Sequence, residues 1–224
     1  MCGRFTQTDA VLPGLDLVYG ETGEGEPSPP ARYNGAPSQD FWVVRRHPQT
    51  AEYQADRLVW GLIPNWVREA DGGRRPINAK CETVTRLPSF RSAYARRRGI
   101  VPINNFFEWR KTEPPKQPFA IGMKDGSSFG LAALWENWKH PESGLYMRTF
   151  CILTCPANEL IAAIHDRMPV ILPPSAYERW LSPMESDPHD LLLPYPAGLM
   201  TMWPISSRIN SPKNDTPDLI DPIS

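Results

Sequence analysis

Apolar residues along this chain occur in short runs, and the runs are separated by stretches rich in Gly, Pro, Asn and Asp. β-branched and aromatic side chains are frequent within the runs, which is typical of strands. The pattern therefore predicts seven short strands, which suit a sheet curled on itself. These predicted strands cover residues 41–44, 58–62, 100–109, 119–123, 128–138, 147–155 and 200–205.

Helical spacing is rarer and occurs at residues 89–98, 158–164 and 175–181. We expect Gly99 to end the first helix, Asn158 to cap the second, and Ser175 to cap the third after two prolines. Residues 21–31 are acidic, rich in Gly and Pro and without periodicity, so they predict a surface loop.

The composition also favours a fold of short strands and loops. The 224 residues include 26 prolines, more than twice the usual share of about 5%, and proline disfavours helix interiors. A chain of this length buries about 70% of its surface without disulfides. We predict one loop-rich α+β domain over residues 1–224, with a curled, barrel-like antiparallel core (about 2–215), a few short helices and a C-terminal tail (216–224).

The sequence shows neither a membrane span nor a secretory signal. No run approaches 18 apolar residues, and the N-terminus lacks a charged segment followed by an apolar one. We therefore expect a soluble, cytoplasmic protein. The cysteines show no CxxC spacing, so we expect reduced thiols, no metal site and no cofactor; Cys81, Cys151 and Cys155 are predicted to lie in the core.

Charge is unevenly distributed although the net charge is only −1. Residues 67–111 contain eleven Lys and Arg against four Asp and Glu, a local net charge of +7. Such a zone is typical of a phosphate-binding face, and it is equally compatible with ordinary solvated surface. The run from Arg96 to Arg98 contributes least to the first interpretation, because we expect it to close a helix.

Cys2 has a chemical property that an internal cysteine lacks. Removal of Met1 would leave it with a free α-amine next to its thiol, with ordinary pKa values of about 7.7–8.0 and 8.5. Such a 1,2-aminothiol condenses with an aldehyde: the amine forms a Schiff base and the thiol closes a thiazolidine ring. The alternative is that Cys2 is simply a small residue tolerated at a processed terminus.

Three further polar residues are candidates for chemistry. Glu108 lies between Phe107 and Trp109, and desolvation by such neighbours favours a general acid; the alternative is a strand-end ion pair. His165 precedes Asp166 and Arg167 where a helix gives way to a strand, and either accepts protons or caps the helix.

Asn78 lies two residues before Lys80 in the basic zone. We expect the amide to orient a reacting group and the cation to hold a phosphate, unless the segment is an ordinary loop. Trp60, Trp66 and Trp109 occur beside Gly, Pro or Asn or at a strand end. They are candidate stacking platforms for unpaired bases, or else core residues, which is the default for Trp60.

Nine segments, in this order along the chain, resemble those of the SRAP family, the SOS response-associated peptidases or abasic-site processing proteins. The segments are MCGRF (1–5), RYNGAP (32–37), WGLIPNW (60–66), INAKCET (77–83), FFEW (106–109), KQPF (116–119), ALWE (133–136), TFCILT (149–154) and HDRMP (165–169). Their joint occurrence is far more specific than any one of them.

The resemblance implies a single β-rich domain that binds single-stranded DNA and links Cys2 covalently to an abasic site. It also implies removal of Met1, and autocatalytic removal would explain the word peptidase in the family name. Asn78 would position the amine and the sugar, Glu108 would help to open the deoxyribose as acid and base, and His165 would move protons. The DNA groove would be lined by Arg4, Asn34, Pro37, Trp66, Lys80, Trp109, Thr154 and Arg167.

Three positions depart from the family pattern. Asn105 replaces a usual Gly, and we expect it to keep a turn with positive φ. Gly35 replaces a branched apolar residue. Lys80 replaces Arg, which keeps the charge but loses the two-pronged phosphate contact. None of these changes removes a candidate catalytic group.

The resulting hypothesis is a monomeric protein that captures the aldehyde of an abasic site in single-stranded DNA as a thiazolidine and shields the lesion. Two alternatives remain open from the sequence. One is an N-terminal-nucleophile cysteine amidohydrolase or peptidase, which would turn over small amides without DNA. The other is a non-catalytic reader of modified DNA, which would retain Met1.

Overall fold

Strands dominate the computed structural model, which describes residues 2–19, 31–68, 75–110 and 115–223. The strands are β1 (Phe5–Gln7), β2 (Leu17–Tyr19), β3 (Arg32–Gly35), β4 (Asp40–Arg46), β5 (Tyr53–Trp60), β6 (Asn78–Lys80), β7 (Arg98–Ile103), β8 (Asn105–Trp109), β9 (Pro118–Met123), β10 (Phe129–Lys139), β11 (Tyr146–Pro156), β12 (Arg167–Pro169), β13 (Ile171–Leu172) and β14 (Met200–Pro204). The α-helices are α1 (Arg91–Arg96), α2 (Glu159–Ala162) and α3 (Tyr177–Leu181). Short 3-10 turns cover Pro174–Ala176, His189–Leu191, Ala197–Leu199, Ser207–Asn210 and Pro217–Ile220.

Five strands close into a barrel. β11, β10, β7, β4 and β5 pair in that order, each antiparallel to the next. A parallel pairing of β5 with β11, at Val59–Thr149 and Trp60–Phe150, closes the ring. Closure leaves no free edge among these strands. The predicted barrel-like core is confirmed, with one parallel junction that the sequence pattern did not indicate.

A second, antiparallel sheet has the order β14-β9-β8-β1-β3. After β7, the chain passes from the barrel into this second sheet at Asn104, and β8 follows. The Oδ1 atom of Asn104 accepts hydrogen bonds from the N–H and the hydroxyl of Thr8, at 2.9 and 3.0 Å. These contacts divide the segment predicted as one strand, 100–109, between two sheets. That division places Glu108 in the second sheet rather than in the barrel wall.

Aromatic side chains fill one end of the barrel, which we call the aromatic end. The rings of Phe5 and Phe41 lie 4.5 Å apart, and those of Phe5 and Trp60 lie 4.8 Å apart. Trp60 stacks on Phe150 with ring centres 6.1 Å apart. Trp60 is 1% exposed, so its default assignment to the core is confirmed. Phe5 follows Cys2 closely, and its packing holds the start of the chain at this end.

The other end of the barrel, the charged end, contains a buried ion pair. Arg45 and Asp56 bind each other there, and Arg148 Nη1 lies 3.5 Å from the second carboxylate oxygen of Asp56. The Arg45 guanidinium also lies 5.1 Å from the centre of the Trp135 ring. Burial lowers the pKa of Arg45, while Asp56 opposes that shift. The barrel therefore has two chemically different ends.

The C-terminal residues pack against the second sheet. Leu219 is fully buried in a small core with Phe107 and Ile209, and the Trp203 indole donates to the Ile220 carbonyl at 2.8 Å. The prediction of a tail beyond residue 215 is therefore wrong for residues 217–220. Apolar residues at 219 and 220 were the signal, but four residues were too few to predict an element.

The helices are shorter than predicted. α1 ends at Arg96, and Gly99 lies inside β7 instead of ending a helix. A Cβ at position 99 would lie 2.8 Å from Val43 Cγ1, so close packing across the barrel explains this glycine. Ser175 lies within a 3-10 turn and caps nothing. Asn158 caps α2 as predicted, accepting from the Ile161 N–H at 3.0 Å.

Other differences concern short elements and turns. Asn105 is not among the described residues with positive φ, so the expected turn at this position is wrong. Close packing explains why position 35 is a glycine, since a Cβ there would lie 2.6 Å from the Phe41 ring. Strands of two to four residues were missed because such lengths show no periodicity. Of the predicted loop 21–31, all but Ala31 lies outside the described residues.

Candidate active site at the aromatic end

Cys2 lies at the aromatic end of the barrel and is fully buried. β1 begins three residues later and pairs Phe5 with Phe106 on one side and Gly35 on the other. Asn78 Nδ2 donates a hydrogen bond of 2.8 Å to the Cys2 carbonyl. Two different parts of the sheet structure therefore fix the backbone of Cys2.

Asn78 is positioned by β6, which pairs in parallel with the end of β11. Its amide nitrogen is occupied by Cys2, as described above. Its Oδ1 atom is buried and has no hydrogen-bond partner among the residues that the structure describes. A buried acceptor without a partner costs about 1–3 kcal/mol, which points to a donor supplied by a ligand or by a terminal amine.

Glu108 lies in the middle of β8 and is 4% exposed. Its Oε2 atom lies 3.4 Å from the Trp109 N–H. Phe107, next to it in the strand, is fully buried in the small second core, which fixes β8 from behind. The predicted shielding of this carboxyl group from water is confirmed. The carboxylate is also close enough to Cys2 to act on its thiol electrostatically.

The Cys2 thiol is held in its protonated form. Burial raises its pKa far above the ordinary value, and the charge of Glu108 raises it further. The thiolate is therefore scarce at neutral pH, and an attack by sulfur needs a base that takes its proton. Glu108 is the carboxylate whose charge acts on this thiol.

His165 lies between α2 and β12, at the helix-to-strand junction that the sequence predicted. Its Nδ1 atom lies 2.9 Å from the Arg167 N–H, 3.2 Å from the Arg167 carbonyl and 3.1 Å from Asp166 Oδ1. β12 pairs with the end of β11, as does β6. The topology therefore brings His165 and Asn78 to the same strand end, on either side of β11.

Arg167 is bound to groups of the protein itself. It pairs with Glu82 through both guanidinium ends and donates to the Thr154 carbonyl at 2.6 Å. Thr154 is fully buried. Arg167 holds the pKa of Glu82 at about 2, well below its usual range. Sequence reasoning missed Glu82, whose only signal was its place in the segment 77–83.

Arg4 and Asn34 form a clamp on the C-terminal segment. Arg4 Nη1 donates to Asn34 Oδ1 at 2.7 Å and to the Ile209 carbonyl at 2.9 Å. Asn34 is 1% exposed. Its Nδ2 group lies within hydrogen-bond distance of three carbonyls, those of Ile209, Ser211 and Asn214. Asp215, which the sequence did not single out, accepts the N–H groups of Tyr33 and Asn34.

Comparison with known proteins agrees with this architecture. A family model described as SOS response associated peptidase (SRAP) matches residues 1–212. The chain belongs to the SRAP family. A solved structure of a Bacteroides thetaiotaomicron protein superposes with a TM-score of 0.77 at 30% identity, covering 86% of each chain. A Bordetella bronchiseptica protein gives 0.76 at 27% identity, covering 92% of this chain and all of that one.

Curated relatives share most of the chain. "Abasic site processing protein YoqW" of Bacillus subtilis is 39% identical over 229 residues, covering 99% of each chain. "Abasic site processing protein YedK" of Escherichia coli is 30% identical over 232 residues, covering both chains completely. "Abasic site processing protein HMCES" of Gallus gallus is 28% identical, covering 85% of this chain and 66% of the relative.

The remaining predicted DNA-groove residues of this SRAP protein differ in exposure. Trp66 is 61% exposed, in the segment that follows β5, and Lys80 is exposed at the end of β6. Pro37 is half-buried in the turn between β3 and β4. Trp109 is half-buried, and its indole donates to Asn210 Oδ1 at 2.7 Å. Their contact with DNA stays a prediction.

The predicted basic zone does not form one face. Arg97 pairs with Glu136 at 2.7 Å, and Arg98 is 6% exposed and bound by backbone carbonyls. Both lie beside the charged end of the barrel, where β7 begins, whereas Lys80 lies at the aromatic end. Strand direction explains this separation, because β6 ends at Lys80 near the aromatic end, whereas β7 begins at Arg98 beside the charged end.

The four cysteines are all buried and free, as predicted for Cys81, Cys151 and Cys155. Among the described residues there is no group of three or more His, Cys, Asp or Glu suited to a metal ion. In the same part of the chain, no helix is long and apolar enough to span a membrane.

Proposed function

We propose that this SRAP protein processes abasic sites by covalent capture. Its mature Cys2 condenses with the ring-opened aldehyde of an abasic site in single-stranded DNA and forms a thiazolidine that shields the lesion. The observation that carries the proposal is the position of Cys2, bound by Asn78 and within electrostatic range of the buried Glu108. The names of the curated relatives, all abasic site processing proteins, support the same substrate.

Removal of Met1 is the first step of the proposal. Hydrolysis of the Met1–Cys2 bond creates the α-amine and exposes the end of the chain at Cys2. The unpartnered Oδ1 atom of Asn78 is suited to accept a hydrogen bond from that amine. We assign this cleavage to the protein itself, in keeping with the word peptidase in the family description.

Schiff-base formation comes second. The amine attacks the aldehyde carbon, and the resulting carbinolamine loses one water to give an imine. Opening of the deoxyribose and departure of water both need proton transfer. In this proposal Glu108 exchanges the proton of the sugar hydroxyl, and the His165 ring protonates the leaving oxygen. Asn78 orients both the amine and the sugar.

Ring closure comes third and needs no further reagent. The thiol adds across the C=N bond: sulfur bonds to carbon, and the thiol proton ends on nitrogen. Because the pKa of the thiol is raised by burial and by Glu108, the sulfur attacks as its proton is transferred to the carboxylate. The same carboxylate then returns the proton, so it acts as base and acid in one cycle.

Phosphate contacts position the strand in this proposal. Lys80 is exposed next to Asn78, and Trp66 and Trp109 offer ring faces for unpaired bases. Arg167 joins them where the phosphate competes with Glu82. Binding that rests on such contacts weakens steeply with salt. Since one protein captures one lesion, no symmetric partner is required, and we propose a monomer.

The test is intact-mass measurement of the purified protein before and after incubation with an abasic oligonucleotide. We expect the mature chain to lack Met1, and the adduct to have the summed mass less one water, with peptide mapping placing it on Cys2. A matched oligonucleotide with a tetrahydrofuran in place of the abasic sugar offers no aldehyde and should give no adduct. Absence of a heat-stable adduct, or one located elsewhere, contradicts the proposal.

Retention of Met1 by the purified protein would separate two outcomes. If an abasic strand still binds more tightly than an intact one, the protein is a non-catalytic reader. Enzymatic removal of Met1 in vitro followed by adduct formation would instead show that only the maturation step was misassigned.

A further inference from the structure

A cavity lies beside the charged end of the barrel, away from Cys2. It has a volume of about 350 Å³ and is formed where β4 ends and β7 begins. Phe41 is the second residue of β4 and Arg46 is its last, and five residue steps of about 3.3 Å place them about 17 Å apart. Cavities of this size hold nucleotide-sized ligands. Neither the family description nor the mechanism above uses this cavity.

The lining of the cavity is strongly cationic. It includes Arg46, Arg96, Arg97, Arg98 and His47, and none of the described residues that line it is an Asp or a Glu. Glu136 pairs with Arg97 at 2.7 Å and balances the charge of that one arginine. A concave surface that gathers this much charge of one sign attracts anions.

Two of these arginines form a fixed floor. Arg98 is 6% exposed and donates to four carbonyls, two of them those of Trp180 and Ser182, at 2.6 Å each. Carbonyl oxygens orient a guanidinium without neutralising it. Arg97 is held by the Ser92 hydroxyl and by Glu136, whose carboxylate balances its charge. Both arginines are rigid and have little freedom to follow a ligand, and Arg98 supplies the charge.

The other donors are available to a ligand. Arg96 is exposed and has no side-chain hydrogen bond or ion pair with a described residue. Within the described part of the chain, Arg46 binds through its Nε alone, to the Ala51 carbonyl, which leaves both of its terminal nitrogens. The His47 Nδ1 atom accepts from backbone N–H groups at 3.2 and 3.3 Å, so the neutral ring carries a donor on Nε2. A phosphate takes two-pronged donors of this kind well.

Trp135 adds an aromatic surface to the cavity. It is half-buried, and its indole lines the pocket. Arg45 lies over the ring at 5.1 Å and is itself fixed by Asp56. The ring is therefore held in place before any ligand arrives. A purine or pyrimidine that stacks on such a ring gains about 1–3 kcal/mol.

We propose that this cavity is a second binding site, specific for a nucleotide, with its phosphate between Arg46 and Arg96 and its base on Trp135. The site does not depend on the chemistry proposed for Cys2. The nucleotide is either a free mononucleotide or one unit of a DNA strand, since both present the same phosphate and base.

The experiment is calorimetric titration of the full chain with 2′-deoxyadenosine 5′-monophosphate and, separately, with a 20-residue oligothymidylate. The test variant is Arg46→Gln/Arg96→Gln. The control is Arg91→Gln/Arg57→Gln, which removes the same charge from two arginines outside the cavity. We expect the test variant to weaken binding at least tenfold and the control to leave it within twofold.

The two ligands distinguish a free mononucleotide from a nucleotide that is part of a DNA strand. Loss of mononucleotide affinity alone in the test variant indicates a free nucleotide, and loss of oligonucleotide affinity indicates a strand that reaches this end. Equal affinities of the test and control variants for both ligands overturn the proposal, as does the absence of binding by the wild-type protein at 10 mM mononucleotide and at micromolar oligonucleotide. Trp135→Phe keeps a ring there and should retain most of the affinity.

Discussion

Two asparagines of this protein differ in how far the hydrogen-bonding groups of their side chains find partners within the protein. Asn34, in the clamp on the C-terminal segment, directs its Nδ2 group at three carbonyls and accepts from Arg4. Asn78, at the aromatic end, donates to Cys2 and has a buried oxygen with no partner among the described residues. The resemblance assigned both residues to function, yet of the two only Asn78 has a side-chain atom that can still accept a hydrogen bond from a ligand.

The difference indicates how to separate structural from chemical polar groups in this fold. A buried amide with all its partners inside the protein stabilises the native state. One left partly unpaired weakens the fold and is available to bind. If this distinction is correct, changes at the aromatic end should affect chemistry with little change in stability, and changes in the clamp should do the reverse.

The largest effect is expected from Cys2→Ala. Without the thiol no thiazolidine forms, and we expect the heat-stable adduct with abasic DNA to disappear. The variant still has an α-amine, so a borohydride-reducible Schiff base should persist. Denaturing gel electrophoresis with and without borohydride measures both species. Cys151→Ala is the matched control, because that buried thiol lies in β11 outside the site, and it should leave the adduct yield unchanged.

DNA binding tests the same variant independently. Affinity of Cys2→Ala for single-stranded DNA, measured by fluorescence anisotropy, should stay within about threefold of wild type and should fall steeply with salt. A heat-stable adduct formed by Cys2→Ala would contradict the role of the sulfur.

Glu108→Gln is expected to slow crosslinking by about 100- to 10,000-fold, the usual contribution of a positioned acid or base. The glutamine keeps the shape of the side chain, so stability should change little. Single-turnover crosslinking under excess protein measures the rate. Glu108→Asp should recover part of it, because a carboxylate is still present.

The pH dependence gives a second readout for Glu108. Its negative charge raises the pKa of the Cys2 thiol, so removing that charge should lower the pKa. The crosslinking rate of Glu108→Gln should therefore increase more steeply with pH than that of wild type, as hydroxide replaces the missing base. Parallel pH profiles for the two proteins would show that Glu108 does not exchange the thiol proton.

The sequence predicted the bounds of some strands closely and of others only in part. The runs that became β9, β10, β11 and β14 were predicted within one residue at every end, because apolar runs of this length bounded by turn residues leave a readable pattern. β5 was predicted only over residues 58–62 and β4 only over residues 41–44. Closure of the barrel by a parallel pairing was not predictable, since it depends on contacts between Trp60 and Phe150, which lie 90 residues apart.

Prediction of the site had a different limit. The resemblance placed Cys2, Asn78 and Glu108 in one site, and the structure brings them together. It could not show that Arg4 and Asn34 are bound to residues 209–214, because those partners carry no motif. Nor could it show that Arg98 lies at the charged end, because the position of a charged residue in the sequence does not tell at which end of the barrel it lies.

Asn34→Ala should destabilise the protein by about 3 kcal/mol. The change leaves three carbonyls without their shared donor and removes the acceptor of Arg4. Urea unfolding followed by tryptophan fluorescence measures the free energy. Asn210→Ala is the control on the same segment, because this exposed residue contacts only Trp109 through its side chain; it should cost less than 1 kcal/mol. Reduced crosslinking per folded molecule in Asn34→Ala would place Asn34 in the DNA groove instead.

The smallest effect is expected from Glu82→Gln, and it depends on pH. Arg167 holds the pKa of Glu82 at about 2 in the folded protein, below about 4.3 in an unfolded chain. The pair therefore contributes its stability above pH 4.3 and loses it as the pH falls towards 2. Glu82 is half-exposed, so solvent screening keeps the contribution below about 1 kcal/mol. The difference in urea midpoint between wild type and Glu82→Gln should thus be small at pH 7, shrink below pH 4.3 and vanish only below about pH 2, whereas Glu142→Gln, at an exposed position, should match wild type throughout. Because the substitution also releases the Arg167 guanidinium, single-stranded DNA should bind slightly more tightly at pH 7; weaker binding would mean that the Glu82–Arg167 pair, as a unit, is what positions the strand.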